Sequence, residues 1–340
     1  NQTELKELGA TVEKLQKLQQ QFHDSHDIAL PYARILFNLS TEQTELKELE
    51  TTAEKLQVVQ QHFPDSPDIA EALARILVNL SVEQVKQTFE QFKQSEEIAL
   101  RYTKALVNLS AEQINVEELG KTVNSVKQIF EQFKQSEEIA LRYAKALFNL
   151  SVEQVNVDEI GKTVNSVKQI FEQFKQSENI ALQYSMALVN LSAKQVNVDE
   201  IGETVNSIQQ IFEQFKQPEN IALQYSMALV NLSLEQTNLD KLNDTASKLK
   251  KIALSFEKNE DITLYYAEAL AKIITKQQNE DEKLEIIDKL KRLHDRFVQS
   301  EEITVQYLTA RMDLVKNNQI DKSNLLNDIY QSLESIPSIK

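Results

Sequence analysis

Apolar residues return along this chain in two alternating helical stripes. In the segment from Ile114 to Gln154, Val116, Leu119, Val123, Val126, Phe130 and Phe133 advance by steps of three and four, which places them on one face of a helix. That helix should stop near Lys134. A second stripe follows through Ile139, Ala140, Tyr143, Ala144, Leu147 and Leu150, with small residues four apart where a neighbouring helix can approach closely. Start signals agree with the stripes. Asn115 followed three residues later by Glu118 has the form of a capping box, and Asn156/Glu159 and Asn197/Glu200 repeat it. Ser136 offers the second N-cap, with Glu137 and Glu138 in the first turn, where the helix dipole favours negative charge. Pro67 follows Ser66 at the position where a missing N–H costs nothing.

This helix pair is one unit of a repeat with a period of 41 residues. Phe92, Phe133, Phe174, Phe215, Phe256 and Phe297 are spaced 41 apart, and Tyr102, Tyr143, Tyr184, Tyr225, Tyr266 and Tyr307 run in step. Residues 130–170 match residues 171–211 at 31 of 41 positions. Eight copies are predicted, near 3–43, 44–80, 81–114, 115–155, 156–196, 197–237, 238–278 and 279–319, followed by a helix over 322–333 with no pairing partner that would cap the stack. The third copy is 12 residues short. Either the preceding helix runs on through it, or a short helix packs in its place and the stack bends there. No helix buries its stripe alone, so the copies must stack, each stabilised by its neighbours. The expectation is one all-α solenoid over 1–340, built of eight antiparallel helix pairs.

The run Leu119-Gly120-x-x-Val123 resembles the Leu-Gly-x-x-Tyr core of a tetratricopeptide first helix, and Leu8-Gly9-x-x-Val12, Ile160-Gly161-x-x-Val164 and Ile201-Gly202-x-x-Val205 share it. Ala140 and Ala144 are similar to that family's second-helix positions. Tryptophan and the terminal proline of the family are missing. The period of 41 exceeds the usual ~34 by about one heptad, which longer helices account for. The resemblance implies a right-handed superhelix that binds other proteins. A HEAT- or armadillo-type helix-pair solenoid is the alternative. Gly at the equivalent site of four copies is expected to permit close helix contact.

Composition removes several function classes. The 340 residues include 52 acidic and 37 basic side chains, a formal charge of −15, which argues against a general nucleic-acid binder. Without cysteine there is no disulfide framework, thiol nucleophile or cysteine zinc site. No apolar run approaches the ~20 residues that span a bilayer. A cytoplasmic location is expected, although Asn1 in place of an initiator Met leaves export open.

Chemistry-bearing motifs are few. His23 and His26, near the first interhelical turn, have metal-compatible spacing but no third ligand beyond Asp24 and Asp27, and His62 occupies the matching turn of copy two. There is no phosphate loop, H-E-x-x-H or nucleophile elbow, so neither a cofactor nor catalysis is expected. The Phe and Tyr ladders read as core, with the Phe174 ring as a plug between layers.

Candidate contact residues lie on the second helices. An N-L-S segment recurs at Asn38, Asn79, Asn108, Asn149, Asn190 and Asn231. Such amides could clamp the backbone of an extended peptide, or else bond a carbonyl at their own helix end or the following loop. Arg34, Arg75, Lys104 and Lys145 share one position and Arg101 and Arg142 another, a basic strip on an acidic protein. In the next two copies these become Met186 and Met227, and Gln183 and Gln224. A groove basic at one end would orient an acidic peptide. Arg101 and Arg142 have a local explanation as i,i+4 partners of Glu97 and Glu138, since Asn179 and Asn220 accompany the Gln replacements. That leaves Lys104, Lys145, Met186 and Met227, with Asn108, Asn149, Asn190 and Asn231, as candidate partner-binding residues. The expected function is a non-catalytic protein- or peptide-binding scaffold. The alternatives are a ligand- or peptide-sensing regulator and a self-assembling structural protein.

Overall fold

A computed structural model describes residues 2–42, 46–77 and 82–316. Within them the chain is all α-helical, as the stripes predict. Its helices are α1 (Gln2–Gln21), α2 (His26–Glu42), α3 (Leu46–His62), α4 (Pro67–Leu77), α5 (Val82–Gln91), α6 (Glu96–Glu112), α7 (Val116–Gln132), α8 (Glu137–Glu153), α9 (Val157–Gln173), α10 (Glu178–Ser192), α11 (Val198–Gln214), α12 (Glu219–Glu235), α13 (Leu239–Ser255), α14 (Glu260–Lys276), α15 (Glu280–Arg296) and α16 (Glu301–Lys316). Odd-numbered helices are the first of each pair and even-numbered ones the second. The helix expected over 322–333 lies outside the described residues.

The predicted caps form. The Asn115 side chain accepts from the backbone N–H groups of Glu117 and Glu118, and Asn156, Asn197 and Asn279 do the same in their copies. One copy departs from the pattern. Pro218 stands where Ser136 and Ser177 stand elsewhere; it gives α12 no side-chain cap, and Lys216 and Gln217 before it adopt φ of 59° and 64°.

Contacts divide the chain into two compact units. The first runs to Gln154 and takes in Glu172–Ile180; the second is Val155–Phe171 and the chain from Ala181 onward. In the first unit, α2 packs on α4, α4 on α6 and α6 on α8, and in the second α12 packs on α14 and α14 on α16. First helices fit onto this column: α3 onto α2 and α4, α7 onto α6 and α8, α13 onto α12 and α14. Each stripe is therefore buried by two second helices at once, which is the nearest-neighbour stacking of a helical repeat. The shortened third copy takes the short-helix alternative, with α5 ten residues long and packed on α4 and α6.

The core ladder is not the one expected. Phe133 and Phe174 lie just past their helix ends and are only half-buried, because the chain turns there and one side of each ring faces water. The buried ring sits three residues earlier. Phe130, Phe171 and Phe212 are 6–9% exposed and face Tyr143, Tyr184 and Tyr225 across the pair, with centroids 5.4–5.7 Å apart. Burial pushes the hydroxyls of Tyr143 and Tyr225 up to about 12, and the Tyr225 hydroxyl donates to Gln209 Oε1 at 3.0 Å.

The glycines also differ from expectation. A Cβ added at Gly9, Gly120, Gly161 or Gly202 would meet nothing within 4 Å, and none has a positive φ. No neighbouring helix needs the missing side chain, so the close-contact explanation does not hold.

In the eighth copy His294 replaces the buried phenylalanine, stacking on Tyr307 at 5.3 Å and sharing a 3.1 Å hydrogen bond with the Thr304 hydroxyl. Burial holds its pKa below the usual 6.5, with Asp295 opposing and Lys291 assisting. The unfolded chain therefore takes up this proton first as pH falls, so stability is intact above about pH 6.5 and declines below it. His294→Phe recreates the Phe–Tyr pair of the third to sixth copies. Melting curves from pH 7.5 to 5 should fall less steeply for the variant; equal slopes would remove His294 from the account.

Candidate binding groove

The asparagines of the N-L-S segments form a connection between copies. Asn149 Nδ2 donates to Ser110 Oγ at 2.8 Å, and Ser110 Oγ donates to the Val107 carbonyl at 2.7 Å. In the second unit Asn231 Nδ2 donates to Ser192 Oγ at 2.9 Å, and Ser192 Oγ to the Val189 carbonyl at 2.7 Å. The Asn of one N-L-S thus holds the Ser of the N-L-S before it, locking neighbouring second helices in register. This differs from the expectation of a bond at the residue's own helix end or the following loop. Asn190 is half-buried and Asn108 exposed.

The strip residues lie on the same second helices. Lys104 and Lys145 are exposed in the first unit, and among the described residues they form no ion pair. Arg101 and Arg142 pair with Glu97 and Glu138 as their spacing indicates. Met186 and Met227 are half-buried in the second unit, Met186 with its sulfur 3.8 Å from Gln183 Nε2. Among the described residues no three His, Asp or Glu side chains come together as metal ligands. His26 instead bonds Ser66 Oγ at 3.0 Å.

Where the N-L-S pattern ends, a groove opens. In the seventh copy its three residues become Lys272, Ile273 and Ile274, and in the eighth the Asn position is Asp313. Lys272 Nζ reaches back to the Leu234 carbonyl at 3.0 Å, and Asp313 pairs with Lys283 at 3.3 Å. The Asn–Ser latch is thus replaced by a Lys272 bond back to α12 and an Asp313 pair with Lys283. Between α12, α14 and α16 lies a cavity of about 710 Å³. Its apolar lining comes from Val230, Leu234, Ala271, Ile274, Ala310 and Met312. Leu234 and Met312 are 54% and 47% exposed, well above what an interior aliphatic side chain shows.

Two polar groups in this groove continue the strip. Glu268 and Thr309 occupy the repeat position held by Lys145, Met186 and Met227. Burial raises the pKa of the Glu268 carboxyl. Tyr265, at the position of Arg142 and Gln224, is half-buried and its hydroxyl is pushed up by burial, with Asp261 and Glu268 adding to it. Sequence reasoning stopped at Met227 and missed Glu268. The same 41-residue step carried one copy further leads directly to it.

The fold and this groove define the chain as an all-α helical-repeat protein. No protein-family model matches it. No curated protein sequence is significantly similar to it. Among solved structures it is similar to one titled "Computational Design of Self-Assembling Cyclic Protein Homooligomers", 13% identical over 97% of this chain and 95% of that one, with a TM-score of 0.11. A score that low carries no argument about fold or assembly. Among the described residues no helix is long and apolar enough to cross a membrane.

Proposed function

We propose that this protein is a non-catalytic binding scaffold of tetratricopeptide-like character, which holds a segment of another protein on the outward face of its second helices. The observation that carries this reading is the apolar groove between α12, α14 and α16, where Leu234 and Met312 are displayed beside Glu268 and Thr309. A groove of this size takes several aliphatic side chains of a helical or extended segment. Lys104 and Lys145 in the first unit supply a separate basic surface suited to an acidic stretch.

Selection of a displayed peptide library on the whole chain tests the reading. Clones recovered on the native protein should bind Leu234→Glu at least tenfold more weakly, because a charge placed in an apolar contact is desolvated without a partner. Clones that bind both proteins equally would show that the groove is not the site.

One observation favours self-association as a second reading. Val155 and Val196, at equivalent positions before their helix caps, are 83% and 81% exposed, while Ile160 and Ile201, the residues a hydrophobic staple would use, are fully buried elsewhere. Sedimentation of the native chain should then show a concentration-dependent dimer that Val155→Asn with Val196→Asn abolishes; a monomer throughout would dismiss it.

A further inference from the structure

The groove between α12, α14 and α16 contains more than apolar walls, since Glu268, Lys272 and Asp313 also line it. Glu268, in the middle of α14, lines this cavity with six apolar residues and with Lys272, Thr275, Gln306, Thr309 and Asp313. Lys272 and Lys283 are each bonded to a group other than Glu268. Lys272, one turn along the same helix, gives its ammonium to the Leu234 carbonyl at 3.0 Å, and Lys283 is held by Asp313 at 3.3 Å. Tyr265, three residues before Glu268 on the same helix, supplies no positive charge. A carboxylate set among apolar side chains without a counter-charge is unfavourable until a cation is brought to it.

We infer that the occupant of this groove is a protein segment that places a lysine or arginine side chain on Glu268, with aliphatic residues on either side of that cation. The inference rests on the groove being the binding site, as proposed above. Charge complementarity selects this occupant. An acidic segment would meet Glu268 as a like charge, and an entirely apolar one would bury Glu268 against hydrocarbon. A cationic side chain has an aliphatic stem that can lie along Ile274 and Ala310 while its head reaches the carboxylate. This position in the strip reverses the sign of Lys104 and Lys145, so the second unit selects for the opposite charge from the first.

The test uses the library clones whose binding is lost in Leu234→Glu. Those groove-dependent peptides should carry Lys or Arg at one fixed position between aliphatic residues. A synthetic peptide of this kind should bind Glu268→Gln about tenfold more weakly than the native protein. The same peptide with norleucine at the cationic position should bind both proteins alike. Glu268→Gln is nearly isosteric, and an unchanged melting temperature establishes that it is folded. Groove-dependent peptides with no cation, or equal affinity of the cationic peptide for the native protein and the Glu268→Gln variant, would overturn the inference while leaving the groove as a site. Clones indifferent to Leu234→Glu would overturn both.

Discussion

Phe130→Ala should destabilise the first unit by about 3–5 kcal/mol, the cost of truncating a buried aromatic ring that leaves a cavity. Phe130 is 6% exposed and lies against Tyr143 at 5.4 Å, so its removal strips one side of the Tyr143 ring as well as its own contacts. Phe174→Ala should cost only about 1–2 kcal/mol, since that ring is half-buried at a helix end and much of its surface already meets water. Denaturant titration of the two variants beside the native chain measures the difference. Because the chain contains two units, the fit must allow for more than one transition. A Phe174 variant as unstable as the Phe130 variant would return the plug to the helix end and contradict the packing described here.

Replacing Gly120, Gly161 and Gly202 together by Ala should raise stability by about 2 kcal/mol. A helical Gly costs roughly 0.5–1 kcal/mol relative to Ala, mostly through the freedom it gives the unfolded chain. Usually a glycine in a packed helix cannot be replaced because a neighbour occupies the space. Here each site is open, with nothing within 4 Å of the added methyl, and the backbone is ordinary helix. The three substitutions lie in successive copies on α7, α9 and α11, far enough apart in sequence that their contributions should nearly add. An upward shift of the melting temperature checks the prediction. A drop would mean that each methyl meets an obstacle the folded chain does not show.

The architecture was legible because its signals are local and repeated. Stripe spacing, Asn caps and the 41-residue period each determine helix number and boundary, and repetition reinforces them. The short third copy was read as two alternatives, since spacing alone does not decide between one long helix and a short helix packed in its place. The core ring was misassigned for a physical reason. Phe130 and Phe133 both fall on the apolar stripe, and only the turn at the helix end, a tertiary feature, exposes one and buries the other. The Asn–Ser latch escaped notice because it joins residues 39 apart, Asn149 to Ser110, through space that the sequence does not display. Arg101 and Arg142 were legible as ion pairs because both partners sit on one helix. The groove was not legible, since it is lined by residues of three helices that no motif brings together in the sequence.

The chain contains three methionines, and all three lie on second helices of the second unit: Met186, Met227 and Met312. Isotope labelling of their methyl groups therefore gives three NMR signals from the face assigned to binding. The measurement is a titration of the labelled protein with a peptide selected on the native chain. Met312, which lines the groove, should shift or broaden most. Met227, one copy before Glu268, should respond less, and Met186 least. Saturable binding that leaves all three methyl signals in place would contradict the second-helix groove as the site of recognition.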